Sequence, residues 1–260
     1  MIKANTIENL RNLLSKISSE KKIGFVPTMG ALHSGHATLI KKARDENDYV
    51  IVSIFVNPTQ FNEKKDYESY PNTLTMDIEL LEKFDVDCLF LPEEKTMYPT
   101  GYDFAIHPNH AGASILEGQA RPGHFIGMLT IVMKLLLLIQ PNKAYFGEKD
   151  FQQVMLVDQM VKSFFLPTVI VRCPTQREAS GLPFSSRNAR LNQVEKNTIE
   201  RIYQILQKEN FSNLPILADK IKECGVSVEY LEEIEERIFL AMRIGKTRLI
   251  DNFSKETGPC

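Results

Sequence analysis

The sequence predicts an α/β fold: a Rossmann-like, doubly wound parallel sheet followed by a small α+β C-terminal domain. Three observations predict it. Short apolar runs alternate with stretches of helical period from the N-terminus to about Cys173, the pattern of a parallel sheet covered on both faces. Tyr49 to Phe55 is an apolar, β-branched run with Ser53 its one polar residue, as in a strand buried on both faces. After Cys173 the order changes to two helices and then three strand-like runs. The expected domains are therefore 1–173 and 174–260.

The elements follow in order. Thr6 to Ile17 carries Ile7, Leu10, Leu13, Leu14 and Ile17 at helical spacing. Ile23 to Val26 is a short buried strand, closed by Pro27. A tight turn through Gly30 leads to a helix starting near Gly35, with Leu39, Ile40 and Ala43 inward. Tyr49 to Phe55 is the next strand, ended by Asn57-Pro58. Gln60 to Asn72 is polar and aromatic without period, a segment suited to covering a site. Thr73 to Phe84 is a helix with Leu74, Ile78, Leu81 and Phe84 inward; Val86 to Leu91 is a strand; Glu93 to Gly118 is irregular. Phe125 to Ile139 is a buried helix, stopped at Pro141 and too short for a bilayer. Lys143 to Phe146 is a strand ending at Gly147, Asp150 to Phe164 a helix, and Thr168 to Arg172 a strand.

In the C-terminal part, Asn192 opens a helix to about Asn210, with Glu195 placed as a capping-box partner. Leu214 to Cys224 is a second helix, stopped by Gly225. Ser227–Leu231, Phe239–Ile244 and Arg248–Ile250 read as short strands. Gly245-Lys246-Thr247 lacks the upstream glycine of a phosphate-binding P-loop, because Leu240 stands there.

Composition narrows the function. The formal net charge is −2 with both signs interspersed, which disfavours a nucleic-acid partner. The cysteines at 88, 173, 224 and 260 form no close pair, which suits free thiols in a reducing cytoplasm. No signal peptide or membrane span is expected.

The chemistry centres on Pro27-Thr28-Met29-Gly30-Ala31-Leu32-His33-Ser34-Gly35-His36. A strand, a glycine turn and a helix start make an anion seat, and phosphate is its common occupant. His33 and His36 are three apart and share one side of a helical turn. Imidazoles there can hydrogen-bond phosphate oxygens as a phosphorus–oxygen bond breaks. A zinc pair is the alternative, but no Cys or Glu stands at ligand spacing nearby. The stretches Pro27–His36, Asn57–Gln60 and Gly147–Gln153 all follow strands, so they gather along one sheet edge.

These residues resemble a known family. Pro27–His36 resembles the HxGH signature of nucleotidylyl-transferring enzymes, and in this longer form the pantothenate synthetases. Val52–Phe61, Leu116–Gly118 with Arg121–Phe125, Phe146–Gln153 and Ser185–Asn188 agree, in the family's order, as does Arg248–Asn252 near the end. The resemblance implies an ATP-dependent ligase that joins (R)-pantoate to β-alanine through a pantoyl adenylate, releasing AMP and pyrophosphate. It also implies Mg²⁺ and a homodimer.

Carried over residue by residue, it places ATP on Met29, Gly30, Ala31, Leu32, His33, Ser34, Gly35 and His36, on Gly147, Glu148, Lys149 and Asp150, and on Gln176, Phe184, Ser185, Ser186 and Arg187. His36, His33, Lys149 and Arg187 are the implied catalytic set, with His36 the proton donor. Gln60 and Gln153 are implied for pantoate, Gln60 also near β-alanine, and Asp150 for Mg²⁺. Met29 and Phe146 could form an apolar wall, and His124 could border the pantoate pocket. Phe184, Gln176 and Ile126 depart from the usual family residues. A nucleotidyltransferase acting on a phosphate acceptor is the rival reading, and the neutral Gln60 and Gln153 argue against it. A non-catalytic nucleotide sensor and a metal-binding module are the remaining alternatives.

Overall fold

A computed structural model gives the structure, described for residues 1–209 and 211–259. Asn210, where the sequence ends the first C-terminal helix, and Cys260 lie outside the described residues. The chain divides into two compact units. One is Met1–Glu148 with Gln152–Cys173; the other is Lys149–Phe151 with Pro174–Cys260.

The first unit holds a six-stranded sheet: β1 (Ile2–Ala4), β2 (Ile23–Thr28), β3 (Tyr49–Ile54), β4 (Cys88–Phe90), β5 (Lys143–Gly147) and β6 (Val169–Cys173). Their order is β1-β4-β3-β2-β5-β6, and every pairing is parallel. Strand alternation sorts the apolar residues to two faces. Phe25, Ile51, Phe90 and Phe146 join Met128, Leu129, Val154 and Val157 in one core cluster. Val26, Val50, Val52, Leu89 and Tyr145 join Leu39, Ile40, Ala43 and Leu81 in another. The first cluster draws on the helices His124–Ile139 and Phe151–Ser163, the second on Ser34–Glu46 and Leu74–Lys83. Both faces are thus covered, and full burial of each such side chain contributes roughly 1.5–3 kcal/mol.

The structure revises three sequence expectations here. Pro27 does not close its strand: β2 runs on to Thr28, with Pro27 opposite Ser53. The β5 partners of β2 are Gly24 and Phe25 only, so Pro27 lies beyond that ladder and its missing N–H deprives β5 of nothing. The edge strand β1 is an addition, since three residues carry no readable period and pairing with Cys88–Phe90 creates it. Short helices also interrupt segments expected to be irregular, at Lys64–Glu68, Glu94–Met97 and Glu117–Ala120.

The second unit has an antiparallel sheet of β7 (Ser227–Ile234), β8 (Arg237–Ile244) and β9 (Thr247–Ser254), in the order β7-β8-β9. Ile238, Leu240, Met242 and Ile244 alternate along β8 and pack with Ile199, Ile202, Tyr203 and Leu206 of the helix Gln193–Lys208. The expected capping box is present: Asn192 Oδ1 accepts from the Glu195 N–H at 3.0 Å, and Glu195 Oε2 accepts from the Asn192 N–H at 2.9 Å. These strands outrun their sequence limits because most of the added residues, Glu232, Glu233, Arg237, Asp251 and Asn252 among them, are polar and give no apolar run to read. Gly245-Lys246 is the turn between β8 and β9, flanked by the pair Ile244 and Thr247.

Candidate active site

Strands β3, β2 and β5 are neighbours, and β2/β5 is where the strand order reverses. Ligands bind outside the carboxyl ends of strands at such a reversal. The stretches ending β3 and β2, and Gly147 at the end of β5, lie at that edge.

The turn after β2 is built from two left-handed residues, Gly30 (φ 77°) and Ala31 (φ 51°). Glycine is needed at the first: a Cβ there would lie 3.0 Å from Ile54 Cγ2 and 3.1 Å from Asp77 Oδ2, in a backbone region side chains avoid. Ala31 is strained by the same rule, at a cost of about 1–2 kcal/mol. Asp77 holds it there. Its carboxylate accepts from the Ala31 N–H at 2.9 Å, the Leu32 N–H at 2.8 Å and the Thr73 hydroxyl at 3.0 Å. Asp77 is 2% exposed.

The turn delivers His33 as the N-cap of the helix Ser34–Glu46. His33 Nδ1 accepts from the Gly35 N–H at 3.2 Å, and His36 Nδ1 accepts from the His33 N–H at 3.3 Å. The two rings lie with centroids 4.1 Å apart. An Nδ1 that accepts carries no proton, so in the neutral ring the proton resides on Nε2. Both rings therefore present an Nε2–H donor from a helix N-terminus.

Gln60 lies in the turn Pro58–Gln60 after β3 and is buried. Its Oε1 accepts from Asn57 Nδ2 at 3.1 Å, and its Nε2 donates to the Met29 sulfur at 3.0 Å. Its carbonyl accepts from His124 Nδ1 at 2.9 Å and Arg121 Nη2 at 3.1 Å. Asn57 is fixed in turn by the Gly127 carbonyl and by the Tyr98 hydroxyl, which donates to its Oδ1 at 2.7 Å. Gly127 lets the helix His124–Ile139 touch this turn, since a Cβ would sit 2.3 Å from the Thr59 oxygen. Gln153 is half-buried in the first turns of the helix after β5. Phe146 is fully in the core, whereas Met29 is half-buried beside Gln60.

The remaining expected residues belong to the second unit, except Gly147 and Glu148. Lys149 Nζ lies 3.3 Å from Asp150 Oδ1. Ser185 caps the turn Ser186–Arg190 by accepting from the Arg187 N–H at 3.3 Å. The Gln176 carbonyl accepts from the Phe184 N–H at 3.0 Å, which closes the loop between them. Among the described residues no group of three His, Cys, Asp or Glu side chains is placed to hold a metal. No described helix is long and apolar enough to cross a membrane.

Several positions escaped the sequence reading. Asp77 had a signal: an acidic residue on the inward stripe of Leu74, Ile78 and Leu81. Gly127 had none, and the Arg121–Phe125 block with His124 was legible only as a resemblance, its grip on the Gln60 carbonyl being hidden because the partners are remote in sequence.

Known proteins resemble the chain along its whole length. A family model described as Pantoate-beta-alanine ligase matches residues 3–254. The chain is 56% identical over 259 residues to the pantothenate synthetase of Francisella tularensis subsp. novicida, covering 100% of this chain and 99% of that protein. It resembles the crystal structure of the Francisella tularensis pantoate-beta-alanine ligase complexed with beta-gamma ATP and beta-alanine, with TM-score 0.98, 55% identity and full coverage of both chains. The pantothenate synthetase of Thermus thermophilus matches with TM-score 0.88 and 35% identity, over 98% of this chain and 99% of that one.

Proposed function

The chain belongs to the pantoate–β-alanine ligase family, and on that premise we propose that the residues gathered around β2 and β3 take its substrates, and that the Lys149 and Ser185–Arg187 segments contact ATP. The enzyme is an ATP-dependent ligase that condenses (R)-pantoate with β-alanine to give pantothenate, AMP and pyrophosphate. The pantoate carboxylate attacks the α-phosphorus, pyrophosphate leaves, and the amine of β-alanine then displaces AMP from the pantoyl adenylate. Such transfer needs alignment and charge stabilisation more than covalent help.

The observation that carries the site assignment is the Gln60 amide. Asn57 pins its oxygen, which leaves the Nε2 donor against a thioether, a weak acceptor. A pantoate oxygen is a better acceptor and takes that bond at little cost. A neutral donor orients the carboxylate without drawing off the electron density it needs for attack. Gln153 is the second such amide, and Gln60 also serves β-alanine.

The Nε2–H groups of His33 and His36 meet the phosphates, with His36 the proton donor to the leaving oxygen. Met29–His36 and Gly147–Asp150 hold the nucleotide, and Gln176 and Phe184 flank its adenine. Lys149, Ser185, Ser186 and Arg187 supply charge-assisted donors to phosphate oxygens. Asp150 is a single carboxylate, so Mg²⁺ would ride mainly on the phosphates with Asp150 assisting, where it offsets phosphate charge. Free Cys88, Cys173 and Cys224 support a reducing cytoplasm. Exposed Phe165 and Val169, beside the sheet edge, support a homodimer.

Purified protein should release AMP and pyrophosphate, with ATP and pantoate alone supporting pyrophosphate exchange. ADP formation contradicts the reading. His36→Ala should keep its fold and lose about 10²–10⁴-fold in adenylation rate; a wild-type rate removes His36 from the mechanism.

A further inference from the structure

The stretch Arg248–Asn252 carries no part of the chemistry assigned so far, yet two of its residues hold both nucleotide-facing segments of the second unit. Asp251 and Asn252 lie on β9 and are 4% and 3% exposed. Asn252 Nδ2 donates to the Lys149 carbonyl at 2.8 Å, and its Oδ1 accepts from Arg237 Nη1 at 2.5 Å. The Arg237 guanidinium lies over the Phe151 ring, 4.1 Å from its centroid, and Phe239 meets the same ring edge-on at 6.0 Å. The tripeptide Lys149–Phe151 is thus gripped at its carbonyl and at its ring.

Asp251 grips the other segment. Arg177 donates to both of its oxygens, at 2.7 and 3.1 Å, and also to the Gly181 and Asn252 carbonyls at 2.9 and 3.2 Å. The Tyr203 hydroxyl donates to Asp251 at 2.7 Å. Burial and the neighbouring carboxylate both push that phenol well up, so it remains the donor. Arg177 pairs across the loop with Pro183, and Asn188 ties the same loop to Ser185–Arg187 through the Pro183 carbonyl at 3.0 Å.

We propose that Asn252 is a positioning residue for Lys149, and that the dipeptide Asp251-Asn252 sets the Lys149 and Ser185–Arg187 donors in common register for the nucleotide phosphates. A lysine presents a point charge on a flexible stem, so its placement depends on where its backbone is held. The amide bond from Asn252 supplies that hold and cannot be replaced by a carboxylate, which would face the Lys149 carbonyl with a second acceptor.

This rests on Lys149 contacting ATP, and the test separates the two. The affinity for Mg²⁺–ATP is measured by titration calorimetry without pantoate in the wild type, Asn252→Asp, Lys149→Ala and the double variant. Asn252→Asp keeps an acceptor for Arg237 but sets a buried carboxylate against the Lys149 carbonyl, so its thermal midpoint should fall by several degrees while the folded protein binds ATP about tenfold more weakly. In the Lys149→Ala background the same change should weaken binding less than about twofold, because the group it positions is gone. If Lys149→Ala leaves ATP affinity unchanged, the site assignment of Lys149 fails. If Lys149→Ala weakens binding and Asn252→Asp does so equally in both backgrounds, or has no effect, the positioning role is overturned. Arg237→Gln, which loosens the same amide from a half-buried position, gives a second reading should Asn252→Asp fail to fold. It should weaken binding in the same direction, and again only when Lys149 is present.

Discussion

Replacing Asp77 with Asn probes the turn that carries the paired imidazoles. The carboxylate serves two backbone donors, Ala31 and Leu32, with one oxygen each. An amide has one oxygen, so one N–H loses a charge-assisted bond and faces an N–H₂ group instead. A hydrogen bond to a charged group is worth about 1.5–3 kcal/mol, and a buried donor left unpaired costs about 1–3 kcal/mol. The two overlap, and a loss of about 2–4 kcal/mol follows. For a unit of this size that lowers the thermal midpoint by roughly 5–10 °C. The turn also relaxes, since Ala31 (φ 51°) is held left-handed against its own preference. The first half-reaction, followed by pyrophosphate exchange with ATP and pantoate, should slow about 10²-fold, the penalty for an ångström of misplacement. Adding Ala31→Gly should recover roughly 1 kcal/mol of the stability, because glycine adopts that backbone without strain. An Asp77→Asn protein with an unchanged midpoint and exchange rate refutes the argument. So does an Ala31→Gly change that destabilises the variant further.

Two other expectations are measurable with the same protein. Gly127→Ala places a methyl 2.3 Å from the Thr59 oxygen and 2.8 Å from the Gln60 nitrogen. It should destabilise the fold by about 1–3 kcal/mol and raise the KM for pantoate more than that for ATP, read from initial rates. Glu46 is held down to about 2 from an ordinary 4.5, first by its hydrogen bond to Lys42 and then by Lys143. A carboxyl depressed on folding stabilises the folded state above its unfolded value, and that stabilisation disappears as pH falls from about 4.5 towards about 2. Glu46→Gln should therefore lose stability at about pH 7 and show a flatter decline through that window, measured as denaturant midpoints.

The amino-acid sequence by itself determined the sheet class and most of the elements, because those depend on local period. The β-branched run Tyr49–Ile54, the stripe Leu39, Ile40 and Ala43, and the Asn192–Glu195 box each act within a few residues. It also placed the histidines and Gln60 after strands, since a glycine turn and an Asn-Pro break are local signals too. Tertiary structure alone decided how those groups are held. The Ala31 N–H finds its acceptor 46 residues away in Asp77, and the Lys149 carbonyl finds its donor 103 residues away in Asn252. Pro27 could stay in its strand only because β5 stops pairing at Phe25. A side chain's type and period are written in its neighbours along the chain, whereas its hydrogen-bond partner is whatever folding brings within about 3 Å.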